Sequence, residues 1–122
     1  MKVAVTAQGP DLTSSVDPHF GRAKQFVVVD METGAVEVVD NAQNVNAAQG
    51  AGIQAAQAIS QRGVEVVLTG NCGPNAFRTL SAAGIQVYVG IQGTVAEAIE
   101  QFKAGQLSPA GDANVAPRWG MT

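Results

Sequence analysis

The hydrophobic pattern of this chain changes period at Gly50, and that change constrains the fold more than any other feature. Before it, apolar residues come in short β-type runs: Val3 to Ala7, Phe26-Val27-Val28-Val29, and the Val36-Glu37-Val38-Val39 segment. After it, stripes at helical spacing alternate with short apolar runs, and a glycine closes each stripe. Hairpins make antiparallel neighbours, whereas helical crossovers make parallel ones. A chain that pairs strands first and then alternates helix with strand therefore specifies a mixed sheet with helices packed on it.

The boundaries follow from local chemistry. Lys2–Ala7 reads as a strand, followed by a turn-rich loop from Gln8 to Ala23. Lys24–Met31 is a second strand, Glu32-Thr33-Gly34 a hairpin-length turn, and Ala35–Asp40 the returning strand. A polar loop, Asn41–Gln49, leads to Gly50-Ala51-Gly52. Ala51, Ala55, Ala58 and Ile59 then share one face of a helix that ends at Arg62-Gly63. Val64–Leu68 is a strand, Pro74 opens a helix with Phe77 and Leu80 turned inward and a stop at Gly84, and Ile85–Val89 is the next strand. Thr94-Val95-Ala96-Glu97 is a capping box for a last helix, with Val95, Ile99 and Phe102 as its stripe and Gly105 after it. The order is β-β-β-α-β-α-β-α, with right-handed crossovers. The expected fold is α/β, a mixed five-stranded sheet of the ribonuclease-H-like kind. Residues 1–107 form its single domain. The Pro-, Gly-, Ala- and Asn-rich residues 108–122, with Trp119, are expected as a loose tail.

At 122 residues the chain is long enough for one domain with a hydrophobic core and no staples. Only 14% of residues are charged and the net charge is −3; an average globular protein has about 25% charged residues. Such a surface is a poor binder of nucleic acid or of a membrane surface. The apolar run after Met1-Lys2 is too short for a signal-peptide core, and no later run approaches a membrane span. With one cysteine, the expected setting is the reducing cytoplasm. One cysteine also excludes an intrachain disulfide and a Cys₄ site, and one histidine excludes paired-histidine metal motifs.

Both scarce residues fall at the same edge of the expected sheet. The connections at Glu32-Thr33-Gly34, Arg62-Gly63 and Ala83-Gly84 are tight. Those at Gln8–Ala23, Asn41–Gly50, Thr69–Pro74 and Gly90–Thr94 are long or glycine-rich, and strand alternation puts all of them at the opposite edge. That is the carboxyl edge of the parallel strands, where α/β sheets bind ligands and where the helix N-termini favour an anion. His19 lies there in Asp17-Pro18-His19-Phe20-Gly21-Arg22-Ala23, and Cys72 in Thr69-Gly70-Asn71-Cys72-Gly73-Pro74-Asn75. Two readings of Cys72 are open: a soft metal ligand or nucleophile given thiolate character by the helix N-terminus, or a small buried hydrophobe in a tight turn. His19 is likewise either a ligand or a structural loop residue. Arg22 and Lys24 share their loop with Asp11 and Asp17, so the edge is no basic patch, and its pull on anions comes mainly from main-chain N–H groups. Gly50-Ala51-Gly52 is either a nest of such groups or a site of close helix packing.

Enzymatic inventories come up short. No GxGxxG, GxxxxGK[ST] or GxSxG is present, and the strands lack the clustered carboxylates of two-metal nucleases. A Cys72–His19 thiol enzyme has no third orienting group to name. The ordered motifs quoted above, Asp17-Pro18-His19-Phe20-Gly21-Arg22-Ala23 before a Phe-Val-Val-Val-Asp strand, Gly50-Ala51-Gly52, Gly63-Val64, and Gly70-Asn71-Cys72-Gly73-Pro74-Asn75-Ala76-Phe77, resemble the dinitrogenase iron–molybdenum cofactor family. Thr94-Val95-Ala96-Glu97-Ala98, with Phe102 and Gly105, fits the same pattern. The resemblance covers residues 1–107 and implies a ribonuclease-H-like fold that binds, carries or helps assemble anionic metal–sulfur cofactors. Within the family the chain is most similar to the orange proteins of sulfate-reducing bacteria, which hold a molybdenum–copper sulfide cluster non-covalently.

The resemblance thus implies a non-enzymatic carrier or store for a molybdenum–copper sulfide cluster, with the iron–molybdenum cofactor or its precursor as the alternative cargo. It also implies a protein partner that delivers or receives that cargo. The residues carried over are His19, Phe20, Gly21 and Arg22, together with Gly50, Ala51 and Gly52 and with Gly70, Asn71, Cys72, Gly73 and Pro74. Cys72 is the candidate for direct metal contact, and His19 and Arg22 for polar contact to cluster sulfides. The alternatives are a regulatory protein-interaction module and a Cys72-dependent redox enzyme.

Overall fold

The computed structural model describes residues 1–41 and 50–111. Its elements in chain order are β1 (Lys2–Ala7), β2 (Gln25–Asp30), β3 (Val36–Asp40), α1 (Ala51–Ser60), β4 (Val64–Leu68), α2 (Pro74–Ala82), β5 (Gln86–Tyr88) and α3 (Val95–Lys103). The strands lie side by side as β3-β2-β1-β4-β5. β2 runs antiparallel to both β1 and β3, whereas β4 runs parallel to β1 and β5 parallel to β4. This is the expected mixed five-stranded α/β sheet, and the pairing mode changes at β1 because the chain stops making hairpins there.

Two of the three inner strands show how position sets composition. β1 and β2 are covered on both faces, so alternation gives way to continuous apolar runs, and Phe26, Val27 and Val28 are all buried. Side chains pointing to one face join Ala55, Ala56 and Ile59 of α1 and Leu80 of α2. Those on the other face join Val95, Ala98 and Ile99 of α3. The β2–β3 turn is fixed by Asp30, whose carboxylate accepts the N–H groups of Glu32 at 2.9 Å and Thr33 at 3.3 Å. Those two bonds hold its carboxyl below the usual carboxylate range. Gly34 completes the turn in the left-handed region, with φ 78°.

Several boundaries differ from the sequence expectation for identifiable reasons. The inward face of α1 holds Ala51, Ala55, Ala56 and Ile59, while Ala58 is only half-buried. α1 packs against α2 as well as the sheet, which rotates its buried arc toward Ala56. The strand expected at Ile85–Val89 contracts to β5 because the Ile85 N–H bonds the Leu80 carbonyl and the Gly90 N–H already turns to Gly70. β2 and β3 each begin one residue later than expected. Of the segment expected as a loose tail, Ala110 donates its N–H to the Val87 carbonyl of β5 at 2.7 Å. Trp119 lies outside the described residues, as does the polar loop from 42 to 49.

The capping box of α3 is complete. Thr94 Oγ1 accepts the Glu97 N–H at 3.2 Å, and Glu97 Oε1 accepts the Thr94 N–H at 2.9 Å. Removing the hydroxyl leaves an N–H without its partner, so Thr94→Ala should destabilise the protein by about 1 kcal/mol. Urea unfolding checks this, with Thr94→Ser retaining most of the lost stability.

Candidate functional site

The long segment between β1 and β2 folds back across the carboxyl edge of the sheet and is fastened there by buried polar groups. Thr6 and Thr69, at the ends of the parallel strands β1 and β4, are fully buried. Thr6 Oγ1 donates to the Asp17 carbonyl at 2.7 Å and lies 2.9 Å from Thr69 Oγ1. The single Thr6 proton goes to the carbonyl, so Thr69 is the donor in the second bond. The Asp17 N–H returns to the Thr6 carbonyl at 2.8 Å. The Asp17 carboxylate accepts the His19 N–H at 3.0 Å, and the Phe20 N–H reaches the Asn71 carbonyl at 3.1 Å. Phe20 itself drops into the core against Phe26, with ring centroids 5.4 Å apart.

This fastening presses main chain against main chain at two glycines. A Cβ on Gly21 would stand 2.7 Å from the Gly52 nitrogen and 2.8 Å from its Cα. A Cβ on Gly70 would stand 2.8 Å from the Pro18 Cα and 2.9 Å from its carbonyl oxygen. Gly52 in turn faces the Ala76 side chain of α2, where an added Cβ would lie 3.1 Å away. The segments 17–22, 50–52 and 70–74 therefore meet at one junction, and the absence of side chains at their contact points is what lets them meet. Of the two open readings of Gly50-Ala51-Gly52, close packing holds for Gly52, against loop and helix rather than sheet. Gly50 is left-handed at φ 77°, ψ 6° and leads directly into helical Ala51, which is the backbone sequence of an anion nest.

The three helix N-termini at this edge are not equivalent. Neither α1 nor α2 has a side-chain cap, and neither first turn contains an acidic residue. Pro74 at the start of α2 has no N–H, so the exposed donors of that helix begin at Asn75. At α3 the cap is closed by Thr94 and Glu97, and the Val95 and Ala96 N–H groups go to the Ser14 and Leu12 carbonyls at 2.9 and 2.8 Å. The expectation that every helix N-terminus serves an anion is corrected accordingly. Among the described residues only α1 and α2 present open positive ends, both on the same side of the sheet.

The scarce side chains are divided between surface and interior. His19 is exposed and Arg22 half-buried, both on the segment that crosses the edge. Gly70, Asn71, Gly73 and Pro74 are half-buried, whereas Ala51 and Cys72 are buried. Cys72 is 1% exposed and packs in the same apolar cluster as Phe20, Ala76 and Leu80. Burial pushes its thiol up to about 12, which favours the second of the two open readings, a small buried hydrophobe in a tight turn, over a thiolate at the helix N-terminus. Among the described residues no group of three or more His, Cys, Asp or Glu side chains is placed to hold a metal ion. The site offers main-chain donors, a few polar side chains and a packed floor.

Sequence reasoning missed the groups that fasten this site. Thr6 was legible only as a strand residue and Thr69 only as the first residue of the loop after Leu68. Asn41 was read as the start of a polar loop, yet it is 1% exposed, and its Nδ2 donates to the Gly21 carbonyl at 3.1 Å and the Ala23 carbonyl at 2.8 Å.

With this geometry in hand, comparisons with known proteins are informative. A family model for the dinitrogenase iron-molybdenum cofactor matches residues 1–105. The structure resembles that of the apo form of the orange protein from Desulfovibrio gigas with a TM-score of 0.91. That match has 48% sequence identity and covers 93% of this chain and 96% of that one. A candidate NifB protein from Thermotoga, solved by NMR, is 44% identical with a TM-score of 0.79, covering 88% of this chain and 91% of its own. An uncharacterised protein of Methanocaldococcus jannaschii is 32% identical over 110 residues, 88% of this chain and 89% of that one.

Two consequences can be measured without any ligand. Gly21→Ala and Gly70→Ala each drive a Cβ into rigid main chain and should cost roughly 1–3 kcal/mol in urea unfolding, whereas Gly111→Ala, which meets open space, should be neutral. For Cys72 the folded state keeps its proton up to about 12, while the unfolded thiol loses it near its ordinary value of about 8.5. The unfolded state then binds fewer protons, so stability should fall as pH rises between those two values. In Cys72→Ala this share of the decline should vanish, as read from urea midpoints across that range.

Proposed function

The chain belongs to the dinitrogenase iron-molybdenum cofactor family, and on that premise we propose that it binds and carries an anionic metal–sulfur cluster. The cargo sits at the junction of segments 17–22, 50–52 and 70–74. One observation carries this reading: two uncapped helix N-termini and a left-handed glycine nest converge at an edge that has no set of metal-ligating side chains among the described residues. Such a site suits a cargo whose metals are already satisfied. A sulfide-capped cluster completes its own coordination, presents negative charge outward, and needs only N–H donors, shape and apolar contact.

The residues divide the work by position. The first turn of α1 and the Asn75 end of α2 supply main-chain N–H groups and the positive ends of their dipoles. His19 and Arg22, on the crossing segment, supply polar contact to cluster sulfides, and the Arg22 guanidinium adds fixed positive charge. Gly70–Pro74 forms the floor, and the Cys72 side chain packs beneath it in the core. Its burial in that cluster supports a role in shaping the floor, and it offers no support for a Cys72-dependent redox enzyme. The cluster we favour is a molybdenum–copper sulfide, on the strength of the likeness to the orange proteins, with the iron–molybdenum cofactor or its precursor as the alternative cargo.

Titration of the purified protein with tetrathiomolybdate and Cu(I) tests this directly. The expected result is a stoichiometric complex with a visible charge-transfer band; absence of any complex overturns the reading. Arg22→Ala should weaken binding by about tenfold, the scale of one charge-assisted hydrogen bond. Cys72→Ala should retain the complex, and loss of binding there would identify a true metal–thiolate bond instead.

A further inference from the structure

Asn41 is a buried side chain that the sheet does not need and that the proposed cradle does. It stands just past the C-terminal end of β3, on the far side of β2 from the junction of loops. Both protons of its amide nitrogen are directed at carbonyls of the crossing segment, Gly21 at 3.1 Å and Ala23 at 2.8 Å. Its own N–H bonds the Lys24 carbonyl at 3.0 Å. A carboxamide donates twice from one planar nitrogen and so serves both carbonyls without bringing a charge into the interior. A carboxylate there would face the same two oxygens with negative charge and no donor.

These bonds act on the part of the segment that touches α1. Gly21 is the residue where an added Cβ would run into the Gly52 nitrogen and Cα. No peptide bond in the described residues is cis, so across each peptide the C=O and the following N–H point in opposite directions. Turning the Gly21 carbonyl into Asn41 therefore also sets the direction of the Arg22 N–H, and with it the path of the chain that carries His19 and Arg22. Phe20 pins the same stretch from the other side through its N–H to the Asn71 carbonyl. The segment is thus held between two anchors, one from β3 and one from the floor.

We propose that Asn41 is a positioning residue of the cluster cradle: its two-donor carboxamide sets the orientation of the Gly21–Ala23 main chain against the N-terminus of α1, and so the geometry with which His19 and Arg22 meet the cargo. This rests on the carrier reading above. Asn41 touches no cargo itself and acts through the main chain of its neighbours.

The test compares wild type, Asn41→Ser, Asn41→Asp and Ile99→Ala. Ile99 lies in the core on the opposite face of the sheet, so Ile99→Ala lowers stability without touching the cradle. Each protein is titrated with tetrathiomolybdate and Cu(I), and the visible circular dichroism of the complex reports how the cluster is held. The expected outcome is a tenfold or greater loss of affinity and an altered dichroism spectrum in both Asn41 variants. Ile99→Ala, with a comparable drop in Tm, should keep the wild-type affinity and spectrum. Asn41→Ser removes one donor without adding charge, so it carries the comparison if Asn41→Asp fails to fold. Asn41 variants that bind within twofold of wild type with its spectrum overturn the proposal and leave the carrier reading standing. Equal losses in Ile99→Ala overturn it as well, since they assign the effect to stability alone. A wild-type protein that forms no complex overturns the carrier reading, and this proposal with it.

Discussion

The contact between Gly21 and the first turn of α1 is the constraint on which the rest of the carboxyl edge depends. Main chain can lie against main chain at that distance only where neither residue has a side chain in the way. Three fastenings hold the crossing segment in place around this contact. Asp17 is tied to β1 and β4 through Thr6 and Thr69, Phe20 is buried and bonded to Asn71, and Asn41 draws in the carbonyls on either side of Arg22. The outcome is a segment seventeen residues from one strand to the next that has little freedom of its own, although it contains no helix or strand.

The same arrangement explains how a weakly acidic chain can attract an anion. Its net charge of −3 works against it at long range. In the proposed site the attraction comes at contact distance, from the fixed dipoles of two uncapped helices and a nest of N–H groups that are held in place and need no reorganisation. The α3 terminus shows the contrast within one molecule. There a Glu side chain and two loop carbonyls occupy the same kind of donors, and the edge becomes a seam between loop and helix.

Much of this was legible in the sequence because it depends on local rules. The change of period at Gly50, the glycines that stop each helix, and Thr94 with Glu97 as a capping box all act over a few residues. The strand directions followed from hairpins against crossovers. What could not be read was long-range. Cys72 has a helix N-terminus beside it in sequence, but the core around it comes from β1, β2, α1 and α2, and that burial decides its protonation. Asn41 sits in a polar stretch that resembles any loop, and only the folded chain shows its side chain turned inward toward Gly21. Thr6 and Thr69 are 63 residues apart and become partners only when β4 docks beside β1. The inequality of the helix termini had the same origin, because Leu12 and Ser14 reach α3 from the far end of the chain.

The buried, protonated thiol has a kinetic meaning for a carrier. A protein that grips its cargo through a metal–thiolate bond releases it by ligand exchange, at a rate governed by an incoming thiol or proton. Cys72 is sealed in the core, and the proposed carrier reading calls for no such bond. On that reading, main-chain donors and shape do the holding, and release requires no exchange of a sulfur ligand. A cluster held in that way would leave with its own sulfides in place.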